Sequence, residues 1–138
     1  MSKYTELKTR HQEEINAFPL GAAFNEKQFE EMMANWGLTT DDTDKICHIG
    51  MGSYVRKCDL AALHEIIDRH QAEHEAAMQD DEYLFSMFNY ELANHEYCIT
   101  YDVTDALDAL GLTFEEVAAN SRMASALKRA IAANERDC

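Results

Sequence analysis

Asp80-Asp81-Glu82-Tyr83-Leu84-Phe85-Ser86-Met87-Phe88-Asn89-Tyr90-Glu91-Leu92 is the stretch on which the fold turns. Its three leading carboxylates suit the positive end of a helix macrodipole. The apolar residues that follow fall on more than one helical face, the pattern of a helix surrounded by others rather than one lying on a surface. A central helix is expected here, and the flanking chain should supply what packs around it.

Upstream, Asp59 is placed to cap a long helix running to about Met78, a span of ~30 Å at 1.5 Å per residue. Its expected buried stripe is Leu60, Leu63, Ile67, His70, His74 and Ala77. Nearer the start, Tyr4, Leu7, His11 and Ile15 recur at helical spacing between Lys3 and Asn16, and Pro19 marks a stop. Asn25 followed by Gln28 has the form of a capping box, after which Phe29, Met32, Met33 and Trp36 share a face until Gly37. These methionines and aromatics, with Phe85 and Phe88, read as core before they read as an adaptable binding groove.

Asp41-Asp42-Thr43-Asp44 could open a short helix through Ile49 that Gly50-Met51-Gly52-Ser53 breaks. Tyr54-Val55 and Cys98-Ile99-Thr100-Tyr101 read as short extended pieces. Downstream, Thr104 can cap a helix that Gly111 closes, Thr113-Phe114-Glu115-Glu116 forms a capping box, and Ser121 to about Asn134 turns Met123, Leu127, Ala130 and Ile131 inward. The expected architecture is all-α, six or seven helices in one compact domain over residues 1–138, with at most a minor β segment.

A chain of 138 residues with 46% hydrophobic and 28% charged residues is large enough, and apolar enough, to bury a core unaided. No stretch approaches the ~18 apolar residues of a membrane span, and Met1 to Glu6 has no signal-peptide character, so a cytoplasmic protein is expected. Cys47, Cys58, Cys98 and Cys138 form no C-x-x-C pair and are expected as free thiols of a reducing compartment. A zinc site from Cys47, His48 and Cys58 would match no standard finger spacing.

Charge is the most informative feature. From Cys58 to Ser121 fifteen carboxylates stand against the single Arg69, so this segment alone accounts for the net charge of −14, and acids and bases balance in the remainder. Glu65, Asp68, Glu73 and Glu75 lie off the expected apolar stripe of the long helix, and Asp80, Asp81 and Glu82 follow it. These seven are the candidate partner-binding residues. A rigid surface dense in carboxylates can compete with the nucleic-acid backbone for a basic groove, whereas like charge excludes direct nucleic-acid binding by that surface. A solvated face kept for solubility accounts for the same composition.

Catalytic signatures are weak. His70-Gln71-Ala72-Glu73-His74 fits H-x-x-E-H, which could place two zinc ligands and a base on one helix, but that enzyme class needs a further downstream glutamate and a larger domain. Glu91 and His95 share a helical face in the same way. Asp42-Thr43-Asp44 starts like a calcium loop, yet Ile46 stands where an oxygen ligand is needed. Gly50-Met51-Gly52-Ser53, with Arg56 and Lys57 beyond it, reads as a turn before it reads as an anion cradle. No catalytic residue, metal or cofactor is assigned.

Asn94-His95-Glu96-Tyr97-Cys98-Ile99-Thr100-Tyr101-Asp102 and Ala106-Leu107-Asp108-Ala109-Leu110-Gly111-Leu112-Thr113, with Asp41 to Ile46 and Tyr54 to Lys57, resemble a group of short uncharacterised proteins carried by mobile elements of gut bacteria. The resemblance implies a context rather than a mechanism. Small acidic proteins of that setting are often inhibitors of host defence, anti-CRISPR proteins among them. The resulting expectation is a non-enzymatic inhibitor whose carboxylates between Asp59 and Glu116 engage a basic nucleic-acid site, such as the duplex-admitting or PAM-reading region of a CRISPR effector nuclease. The alternatives are an adaptor or homo-oligomer meeting partners through an apolar patch near Trp36, and a zinc enzyme built on His70, Glu73 and His74.

Overall fold

The computed structural model describes residues 2–138 and contains, among them, α1 (Lys3–Ala17), β1 (Gly21–Ala22), α2 (Glu26–Asn35), β2 (Ile46–Gly50), β3 (Ser53–Arg56), α3 (Leu60–Ala77), α4 (Asp81–Asn94), α5 (Tyr97–Thr100), α6 (Thr104–Ala109), α7 (Phe114–Ala119) and α8 (Ser121–Asp137). The chain is mostly helical, with a small antiparallel sheet ordered β1-β3-β2. It divides into two compact units: the chain through Arg10 together with Glu73–Cys138, and His11–Ala72.

In the first unit α4 is the centre. Asp80 caps it by accepting from the Glu82 and Tyr83 amides, and Tyr83, Leu84, Met87, Phe88, Glu91 and Leu92 are all buried. Two adjacent buried rows on one helix require neighbours on two sides. Tyr4 and Leu7 of α1, Ala106 and Leu107 of α6, Val117 of α7, and Ala126, Leu127 and Ala130 of α8 complete that core. The Ala126 and Ala130 positions let α8 lie close to α4, and the buried Asn134 amide there is satisfied by Asn89 Oδ1 and the Ala130 carbonyl, each at 2.9 Å. The Thr113 box forms with both bonds, and Asn120 caps α8 through the Arg122 and Met123 amides.

The second unit packs Met32 and Met33 against Ala23 and Ile46, with Phe29, Trp36, Leu38 and Tyr54 at the margin. The methionines are thus core, as their spacing predicts. Asn25 caps α2, but the Gln28 side chain returns to the Phe24 amide instead of the cap's own, shifting the box by one residue. Gly37 ends the helix at φ +71°.

Several expectations need correction. Residues Ile46–Gly50 form strand β2, not a helix; only Thr43–Lys45 makes a 3-10 turn. Ile46 and Ile49 have helical spacing, but pairing of Cys47 with Val55 and His48 with Tyr54 across a turn through Gly52 (φ +69°) prevails. Cys98–Tyr101, expected extended, lies in and just after α5, bracketed by the left-handed Glu96 (φ 60°) and Tyr101 (φ 54°), because Tyr97 is drawn into the core. Asp59 sits in a 3-10 turn with its carboxylate held by Arg56 at 2.8 Å, not as a free cap. The Thr104 hydroxyl does not cap α6 but donates to Asp102 Oδ1 at 2.6 Å.

The α3 stripe is the largest miss. Leu63 alone is buried, Ile67 is 49% exposed, and His70 and His74 are anchored by polar partners rather than apolar packing. The cysteines also divide: Cys47 and Cys58 are free, whereas Cys98 and Cys138 are joined in a disulfide across Cα atoms 5.5 Å apart. Their separation of 40 residues hides the pairing from the sequence, and it is the packing of α5 beside α8 that brings them together. No helix among the described residues is long and apolar enough to cross a membrane.

Candidate functional site

The structure distributes the seven candidate acids unequally. Glu65 and Asp68 belong to the second unit and are exposed on α3. Glu73 and Glu75 lie on the part of α3 that belongs to the first unit, and neither is without an interaction partner. Asp80 is committed twice, as the α4 cap and as the partner of Lys3 at 3.2 Å; Lys3 and then the two capping amides hold its carboxyl below the usual range. Asp81 pairs with Arg122 at 2.7 Å, and Glu82 with Arg129 at 3.3 Å, whose guanidinium lies over the Phe85 ring. Exposed pairs of this kind contribute ~0–1 kcal/mol each, so a basic partner can displace them.

The imbalance that is segregated along the sequence is shared between the units. Fifteen acids against seven bases leave −8 in the first, and eleven against five leave −6 in the second. Within the first unit, the bases reside in the first part of α1 and along α8, where Lys3, Arg122 and Arg129 pair with the acids at the start of α4 and Lys8 with Glu91. The α5–α7 segment has none. There Glu96, Asp102, Asp105, Asp108, Glu115 and Glu116 are all exposed, and among the described residues none forms an ion pair with a lysine or arginine. Asp102 and Glu116 are fixed by hydrogen bonds to Thr104 and Thr113, the first of these holding the Asp102 carboxyl low. Ile99 (76% exposed), Tyr101 and Phe114 (59%) lie on the same segment.

The fold buries the carboxylate of Glu91, of whose partners only His95 is visible in the sequence. Glu91, only 2% exposed, accepts from the Tyr4 hydroxyl at 2.6 Å and the Lys8 ammonium at 2.9 Å, and its second oxygen lies 3.3 Å from His95 Nε2. Burial pushes this carboxyl up, but the Tyr4 and Lys8 bonds with the nearby His95 outweigh it and hold it low. Tyr4 is raised in turn, by burial first and by Glu91 second. Tyr83, packed edge-on against Tyr4 and 2.7 Å from His74 Nδ1, is pushed up to about 12 by burial. The signal for this cluster was a carboxylate inside an apolar run, with Tyr4 and Lys8 at helical spacing elsewhere. The same unit holds a cavity of about 450 Å3 on α1, α3 and the start of α4, in which Glu73 and Asp80 of the candidate set take part.

The zinc constellation does not assemble. His70 Nε2 donates to Glu14 at 2.6 Å and stacks on His11 at 3.8 Å, while His74 turns to Tyr83. Arg69 also binds Glu14, and the two bonds, Arg69 first, lower that carboxyl to about 2. Among the described residues no group of three His, Cys, Asp or Glu side chains could hold a metal, Cys47, His48 and Cys58 included. Over residues 3–133 the chain matches a family described as being of unknown function (DUF7659). No curated protein and no solved structure matches it.

Proposed function

Because the chain belongs to that family of unknown function and inherits no activity from it, we propose from its own surface that it is a non-enzymatic inhibitor which binds the basic nucleic-acid site of a host-defence protein. The observation that carries this reading is the α5–α7 segment: six exposed carboxylates, no base, and three exposed apolar side chains that could seat against a partner. Paired acids are already neutralised within the molecule, so unpaired ones give the steepest long-range attraction to a cationic groove. Asp81 and Glu82 can join by exchanging Arg122 and Arg129 for partner bases; Glu73 and Glu75 belong to the same unit, and Glu65 and Asp68 stand exposed on α3 in the second. Its resemblance to proteins of mobile elements makes CRISPR effector nucleases the first targets to try.

The test is target cleavage by a panel of such nucleases with and without the protein, at two salt concentrations. Inhibition should weaken as salt rises. Combined reversal by Asp105→Lys, Asp108→Lys and Glu115→Lys should weaken it on the order of tenfold or more, about 1.4 kcal/mol. Inhibition untouched by both changes would exclude an acidic competitor. A second reading, an interaction module working through apolar contact, draws on the second unit, where Phe24 and Met51 (91%) are exposed and a cavity of about 250 Å3 reaches Trp36. Self-association or partner capture indifferent to salt would favour it.

A further inference from the structure

We propose that the Cys98–Cys138 bond is a reversible redox latch on α5, closed by oxidation and opened by small thiols; that it controls the partner-binding segment rests on the function proposed above. Helix α5 has only four residues, too few to stand on its own backbone bonds. It is bracketed by Glu96 (φ 60°) and Tyr101 (φ 54°), both in the left-handed region that residues with a Cβ avoid. Such residues persist only where their surroundings hold them, and they recur at switches. Two tethers hold these. Tyr97 is buried in the core and its hydroxyl donates to Glu135 of α8 at 3.0 Å, while the disulfide joins Cys98 to Cys138 just beyond α8. Cys98, Ile99, Thr100 and Tyr101 are all exposed, so burial does not keep them in place.

Both cysteines are exposed, so a thiolate can reach either sulfur. Opening consumes two equivalents of a small thiol such as glutathione. The first thiolate attacks one sulfur, the S–S bond breaks, and the other cysteine leaves as a thiolate that takes up a proton. The second attacks the mixed disulfide, frees the remaining cysteine to be protonated in turn, and departs as the oxidised thiol dimer. The protein gains two electrons and two protons, which the two thiols lose. With the latch open, the tether that is left is Tyr97, and the left-handed residues can relax. Release passes along the chain, because the Asp102 amide donates to the Thr100 hydroxyl at 3.1 Å and Asp102 in turn holds Thr104. Glu96, Ile99, Tyr101 and Asp102 therefore lose their fixed places, whereas α6 and α7 stay anchored through Ala106, Leu107 and Val117. The oxidised form presents the whole α5–α7 segment, the reduced form only its α6–α7 part.

The experiment equilibrates the full chain in glutathione buffers running from oxidising to reducing, traps free thiols with iodoacetamide and counts them by mass spectrometry. The pair should be half reduced within that series and should re-form when the oxidising buffer is restored. Brief hydrogen exchange of the two end states should show the Ile99, Thr100 and Tyr101 amides, which bond within this segment, exchanging on the order of tenfold faster after reduction, with α4 and α8 still protected. Cys98→Ser should exchange like the reduced parent in every buffer, and Cys58→Ser, which removes an exposed free thiol, should keep the parent's response. A bond that stays closed throughout the series, α5 amides equally protected in both forms, or protection lost across α4 and α8 as well would overturn the inference, since each describes a brace rather than a latch. If Cys98→Ser does not fold, the two states of the parent decide. In the nuclease assay the oxidised form should inhibit at least about fivefold more strongly than the reduced one, and equal inhibition by both would overturn the control of the partner-binding segment. Inhibition by neither counts against the proposed function and leaves the exchange result to decide the latch.

Discussion

Glu91 shows how a single carboxylate can be kept charged inside a core. It gives up its water but gains the Tyr4 hydroxyl, the Lys8 ammonium and the nearby His95, and the sum favours the ionised form. Tyr4→Phe removes one of those donors and leaves the carboxylate one bond short, which should cost ~1–3 kcal/mol in urea-denaturation free energy, the desolvation cost of an unsatisfied buried group. A change below ~0.5 kcal/mol would mean that water replaces the hydroxyl. The tyrosines offer a second check. Tyr4 and Tyr83 are both raised, so their neutral forms stabilise the fold below the ordinary tyrosine pKa near 10, and that contribution is lost as pH climbs through the folded value, about 12 for Tyr83. Ultraviolet titration should therefore show the phenolate absorbance of these two appearing well above the ordinary tyrosine range and together with loss of helical signal. At this scale the sequence was a poor guide: Glu91 and His95 were visible as an i, i+4 pair, but nothing local says that Tyr4 and Lys8, more than eighty residues away, complete the cluster.

Helix ends were legible where the capping residue finds its bonds within four residues of itself. Asn25 and Thr113 cap where the sequence places them, the Asp80-Asp81-Glu82 run does open α4, and Gly37 and Gly111 adopt the positive φ that ends a helix, whereas Asp59 and Thr104 are held by other partners and do not cap. Elements whose identity depends on distant partners were misread: β2 needs β3 to be a strand, and α5 needs the core's hold on Tyr97. The same dependence hid the Cys98–Cys138 bond, which ties four-residue α5 to the end of α8 across 40 residues. Reduction, or Cys98→Ser, should lower stability by ~2–4 kcal/mol through the freedom returned to the unfolded chain. Melting with and without dithiothreitol measures it, and an unchanged Tm would show that Tyr97 and its Glu135 bond hold α5 without help.

Over the whole molecule, the sign and size of the net charge were legible at once, while its placement was not: the acid-rich segment crosses from one unit to the other, and bases from α1 and α8 neutralise part of it. A charge of −14 destabilises the folded state by self-repulsion, so raising sodium chloride from 20 to 500 mM should raise Tm, unless the paired acids contribute more than the unpaired ones repel, in which case Tm falls. Acid works against this. Glu14 and Glu91 are both depressed, so the stability they contribute is present above the ordinary glutamate pKa and is lost as pH falls, toward about 2 for Glu14. The two separate cores carry one more consequence, which is optical. Trp36, the only tryptophan, belongs to the second core, whereas the disulfide and the Glu91 cluster belong to the first, with five of the six tyrosines. Indole fluorescence therefore reports one unit and tyrosine absorbance chiefly the other, so the protein carries its own pair of dyes, and overlaying the two melting curves would tell whether it comes apart in one step or two.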